Sequence, residues 1–109
     1  MAKSKKVLTC YIGSQDIYEW VTSDDGKKTM MPILIDGCES IIDKDLEEKK
    51  VLVVESIQKY ASRRFSFYVR KEEMEETLGK IMDWALENEE YEICARVKKI
   101  EDNLVKETF

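Results

Sequence analysis

A chain of 109 residues has the length of one ordinary domain, and at that size it buries about 60–70% of its unfolded surface in a single core. Hydrophobic residues make up 43% and charged residues 38%, with one proline and four glycines, which excludes a disordered, linker-rich or low-complexity chain. The net charge of −5 resides in residues 70–109, where twelve acidic residues face seven basic ones, and this acidity disfavours contact with a phosphate backbone.

Residues 1–6 read as a short basic tail. No apolar stretch of signal-peptide length follows it, and no apolar run is long enough to span a bilayer. Cys10, Cys38 and Cys94 are odd in number and far apart, and histidine is absent. Neither a disulfide framework nor a zinc site is expected, and unpaired thiols suit a reducing cytoplasm.

The β-formers of residues 7–12 predict a first strand. Residues 13–16 read as a turn. Residues 17–22 alternate, with Ile17, Glu19 and Val21 opposite Tyr18, Trp20 and Thr22, and predict a second strand. Ser23-Asp24-Asp25-Gly26 carries the Asp-Gly signal of a hairpin turn. Residues 29–35 would return as the partner strand. Pro32 lacks an N–H, so that strand is expected at an edge or with a bulge. Residues 38–50 are open between a short helix and a loop. Residues 51–57 are nearly continuous in apolar residues, as in a central strand. Residues 64–70 alternate, with Phe65, Phe67 and Val69 on one face and Arg64, Ser66, Tyr68 and Arg70 on the other. A loop over residues 58–63 makes these two strands a hairpin.

The period then changes from two to 3.6. Met74, Leu78, Ile81 and Ala85 form one helical stripe; Ile93, Val97, Ile100 and Leu104 form a second. Residues 87–90 join them, which predicts an antiparallel helical hairpin. Glu72 and Glu73 open the first helix, while Arg96, Lys98, Lys99 and Lys106 fall later in the second, as the helix dipole favours. The fold class expected is α+β: one domain with a β-rich part over residues 1–70, holding about four or five mostly antiparallel strands, and a helical hairpin over residues 71–107.

Residues 74–104 resemble the UVR motif, a helical hairpin that mediates protein–protein contact in excision-repair proteins, in Clp-type chaperone ATPases and in their regulators. The matching positions are Leu78, Met82, Ala85, Glu90, Tyr91, Glu92, Cys94, Ala95, Arg96, Val97, Lys98, Ile100 and Leu104. Lys99 stands where the family has an acidic residue. The resemblance implies a gripping device without catalysis of its own. Small Cys94 and Ala95 would let the helices approach, and Tyr91 would pack its ring at the joint with its hydroxyl wet.

Other clusters carry less chemistry. The stretch 59–71 interleaves basic and aromatic residues, and Lys59, Arg63, Arg64 and Arg70 would serve a single-stranded nucleic acid. The competing reading puts Phe65 and Phe67 in the core and the arginines in water. The acidic groups at residues 24–25, 43–45 and 47–48 lack the spacing of a calcium loop and read as solvated turns. Glu72, Glu73, Glu75 and Glu76 read as a helix start rather than paired catalytic carboxylates. Cys38 beside Gly37 is the most exposed-looking thiol, but no histidine exists to activate it, and a buried or inert thiol is expected.

The leading expectation is a small cytoplasmic adaptor, not an enzyme, with no cofactor and no metal, whose partner is another protein. Its expected contact residues are Trp84, Glu87, Glu89, Glu90, Tyr91 and Arg96. Trp84 lies one position off the first stripe, where it can flank a contact surface or anchor the core. Two alternatives stand beside this reading. One is a structural subunit of a larger assembly such as a phage particle, self-associating through edge strand 29–35. The other is a nucleic-acid-binding accessory protein.

Overall fold

The computed structural model describes residues 7–59 and 61–108. The basic tail at residues 1–6, Tyr60 in the basic-aromatic stretch and the Lys106 side chain lie outside that description. The elements run β1 (Leu8–Tyr11), α1 (Ile17–Thr22), α2 (Asp24–Lys44), β2 (Glu48–Gln58), β3 (Ala61–Arg70), a 3-10 turn at Lys71–Glu73, α3 (Met74–Glu87) and α4 (Tyr91–Thr108).

The fold is mixed α and β, with a three-stranded sheet in the order β1-β2-β3. This corrects the expectation of four or five mostly antiparallel strands. β2 and β3 are antiparallel, with Gln58 opposite Ala61 and Glu48 opposite Arg70. The hairpin is therefore longer and its connection shorter than the expected loop over 58–63. β1 pairs with β2 in parallel, from Leu8 opposite Leu52 to Tyr11 opposite Glu55. Parallel neighbours need a crossover, and α1 and α2 supply it.

Both expected strands in the crossover are helices. At residues 17–22 the deciding positions are Ile17 and Trp20, which are buried three residues apart on one helical face. Asp16 caps this helix, its carboxylate accepting from the Glu19 amide at 3.4 Å. Residues 23–26 do not form a hairpin turn. Ser23 is the N-cap of α2, and its hydroxyl oxygen accepts from the Gly26 amide at 3.0 Å. A Cβ on Gly26 would lie 1.7 Å from the Trp20 carbonyl oxygen, so the α1–α2 joint requires glycine there. Residues 29–35 lie inside α2, with Pro32 in its interior. That proline removes one helical hydrogen bond without ending the helix. The period here is helical: Ile35, Cys38 and Ile41 are fully buried and spaced three apart, one stripe that runs from the expected strand into residues 38–50.

α2 ends at Asp45, which adopts the left-handed conformation at φ 52°. The Leu46 amide donates to the Ile41 carbonyl at 3.0 Å and the Asp45 amide to the Ile42 carbonyl at 3.4 Å. These two bonds close the helix end in a Schellman motif. Lys71 then holds Asp45 at 2.9 Å, and this hydrogen bond and charge keep the Asp45 carboxyl below its ordinary range.

One face of the sheet carries the core. Leu52 and Val54 stand opposite Phe67 and Phe65, and all four pack with Val69, Ile35, Cys38 and Ile41. α2 lies close: a Cβ on Gly37 would meet Val51 Cγ1 at 2.5 Å and Val69 Cγ2 at 3.1 Å. Val53 points to the other face, between Thr9 and Ser66, outside the main core cluster. Exposed Tyr11, Ile57 and Tyr68 share that second face.

Candidate partner-contact site at the helical joint

The two stripes expected in the C-terminal helices are real packing faces. Met74, Leu78, Ile81 and Ala85 on α3 are buried, as are Ile93, Val97 and Ile100 on α4; Leu104 is half-buried against them. The pair also packs on α2. The hairpin's apolar seam is thus covered by its own chain. A contact with another protein must use what lies outside the seam.

Arg96 belongs to the internal contact. Its Nε donates to Glu39 Oε2 at 3.0 Å, while Nη2 reaches both Glu39 Oε1 and Asp36 Oδ1 at 2.5 Å. The Glu39 hydrogen bonds are the largest cause holding the guanidinium charged beyond its already high range; Asp36 adds to them. Trp84 is likewise turned inward, 8% exposed and within the core cluster. Of the six expected contact residues, these two are bound into the fold.

The other four gather at the joint between α3 and α4. Glu87, Glu89, Glu90 and Tyr91 are all exposed. The backbone there is defined by hydrogen bonds. The Glu90 amide donates to the Ala85 carbonyl at 2.8 Å, and the Glu89 amide to the Leu86 carbonyl at 3.3 Å. This second Schellman closure puts Glu89 in the left-handed region at φ 57°. Asn88 Nδ2 donates to the Trp84 carbonyl at 2.8 Å. The Glu90 carbonyl then accepts from the Ile93 and Cys94 amides at 3.1 Å and starts α4.

The closure brings two large apolar side chains to the surface. Leu86 is 55% and Tyr91 65% exposed, within a run that also carries exposed Glu87, Glu89, Glu90 and Glu92. None of these four carboxylates makes an ion pair among the described residues. Leu86 was not among the sequence candidates. Its signal was its place just outside the 74-78-81-85 stripe. Cys94 is half-buried in the seam, whereas Ala95 is exposed and lets no helix approach. Glu39 and Asp36 were missed as partners of Arg96 because residues 29–35 of their helix were expected as a strand and residues 38–50 were open between a short helix and a loop.

The nucleic-acid residues do not gather. Phe65 and Phe67 pack on the core. Arg63 falls on their side of β3, whereas Arg64 and Arg70 share the opposite face, about 20 Å apart along the strand. Arg64 sits 3.9 Å from Glu55, and Arg70 sits 3.7 Å from Glu73. Lys59 lies at the turn between β2 and β3. The edge strand that motivated a self-associating subunit is α2. Among the described residues no group of three acidic or cysteine side chains is placed to hold a metal ion, and no helix is long and apolar enough to cross a membrane. Cys38, expected to be buried or inert, is fully buried, and burial followed by the nearby Glu39 pushes its thiol up to about 12.

We find no family model, characterised protein or solved structure that matches this chain. The chemistry of the joint therefore has to speak for itself. Two exposed apolar side chains within an acidic run offer contact area and negative potential.

Proposed function

We propose that the chain is a small non-enzymatic adaptor that binds another protein through the tip of its helical hairpin. The observation that carries this reading is the exposed Leu86–Tyr91 pair, flanking a glutamate held in a left-handed backbone conformation. A non-glycine residue in that conformation costs roughly 1–2 kcal/mol. Strain of this kind, kept at an exposed joint, motivates a role outside stability. Tyr91 supplies a rigid amphipathic anchor, and the carboxylates set approach rate and partner choice. The partner's face is accordingly basic around an apolar recess. The resemblance of residues 74–104 to the UVR motif supports the same use of the hairpin.

The test is a photo-crosslinking amino acid placed at position 91 of the full chain in its native cells. A discrete crosslinked protein is expected from position 91 and not from position 98, which is exposed on α4 away from the joint. The same products from both positions would contradict a specific tip contact.

A further inference from the structure

A separate cleft opens at the carboxyl ends of β1 and β2. β1 leads there into the crossover helix α1, while β2 turns into its hairpin with β3, and the cleft lies between these two exits. Here the crevice has a fixed wall. The Ile57 amide donates to the Gly13 carbonyl at 2.6 Å, and the buried Ser56 hydroxyl lies 2.8 Å from the Gln15 carbonyl. These bonds hold the loop that follows β1 against the end of β2.

The cleft has a volume of about 310 Å3 and is lined by Asp16, Ile17, Tyr18, Ser56, Arg63 and Phe65. That is the lower end of the range for small-molecule sites. Asp16 and Arg63 bring opposite charges to its wall and form no ion pair with each other. Asp16 spends one oxygen on the 3.4 Å bond from Glu19, and the Arg63 guanidinium has no hydrogen-bond or ion-pair partner among the described residues. The exposed lining is more polar than apolar; half-buried Phe65 gives one apolar contact, Ile17 is almost wholly buried beneath, and the exposed ring of Tyr18 stands at the rim.

We propose that this cleft binds a free α-amino acid with an apolar side chain. Its ammonium group pairs with Asp16 and its carboxylate with Arg63, while the side chain lies against Phe65 and Tyr18. A ligand carrying both charges offers each of these residues a partner. A phosphate would meet the Asp16 carboxylate, and a divalent cation would meet the Arg63 guanidinium beside a single carboxylate. The proposal is independent of the hairpin contact.

The experiment uses the full chain labelled with 15N and titrated to millimolar levels with L-phenylalanine and L-leucine. Saturable shifts are expected at the amides of residues 13–18, 56–57 and 63–65. N-acetyl-L-phenylalanine and L-phenylalaninamide, each missing one charge, should bind about tenfold more weakly, the effect of losing one charge-assisted contact. Asp16→Asn keeps the helix cap and removes the charge; Arg63→Gln alters an exposed side chain. Both should weaken binding about tenfold with the rest of the spectrum unchanged. No saturable shift with either amino acid, equal binding by the blocked analogues, or full binding by both variants would overturn the proposal.

Discussion

Arg96 on α4 grips Glu39 on α2 through two guanidinium nitrogens, joining residues 57 apart in the chain. Asp36, one helical turn before Glu39, takes a further bond from the same group. The flat fork of arginine matches a carboxylate in two places, which a lysine ammonium cannot do. The side chains remain more than a third exposed, so solvent screens the pair. Arg96→Ala should cost about 1–2 kcal/mol in urea unfolding, and Arg96→Lys should recover less than half of that. The loss should shrink at high salt. An unchanged midpoint for Arg96→Ala would mean that the grip contributes nothing to docking the hairpin.

The close approach of α2 to the sheet gives a second prediction. Alanine normally improves a helix interior by about 1 kcal/mol over glycine. At position 37 the added methyl would meet Val51 and Val69, so Gly37→Ala should instead destabilise by about 1–3 kcal/mol. Adding Val51→Ala should make the two changes non-additive, because one removes the neighbour that the other strikes. Additive losses in a double-mutant cycle would argue against this contact.

Cys38 should be silent to thiol reagents near neutral pH, because its thiol is buried and raised to about 12. Cys10 and Cys94 are half-buried and should react first. The raised value also sets a direction with pH. The unfolded thiol ionises near 9.0, so the stabilising difference is complete below that pH and is lost as pH rises toward about 12. Cys38→Ala should flatten the fall in stability over that alkaline window relative to wild type. Rapid labelling of all three thiols in the folded protein would refute the burial.

How far the fold could be read from sequence depended on which periods competed. The C-terminal helices carry stripes with a single period, so Met74, Leu78, Ile81, Ile93 and Val97 were placed where they pack. β3 was equally plain, because Phe65, Phe67 and Val69 alternate with polar neighbours. α1 was hidden because six residues fit either period, and only Asp16 three before Glu19 marked a cap. α2 was hidden behind Pro32 and Asp25-Gly26, two strong breakers that this helix absorbs in its interior and first turns. Losing α2 also lost the parallel pairing of β1 with β2, since no crossover remained to connect them. At the candidate site, the joint residues Glu87, Glu89, Glu90 and Tyr91 were legible from the gap between stripes. The inward turn of Trp84 and Arg96 was not, because it depends on a helix distant in sequence.

The joint separates stability from binding at one residue. Glu89 occupies a left-handed position that glycine adopts without steric cost. Glu89→Gly should leave the protein as stable as wild type or raise its stability by up to about 1 kcal/mol in thermal or urea unfolding, and should weaken the partner contact. A loss of stability would show that the glutamate serves the fold.

The most direct test replaces the exposed apolar pair while keeping every packed residue. Leu86→Gln combined with Tyr91→Gln should unfold at the wild-type midpoint, because both side chains are more than half exposed. Immobilised side by side in native cell extract, the wild-type chain should retain a stoichiometric protein that the double variant releases. Equal retention by both chains, with both folded, would contradict a partner held at the hairpin tip.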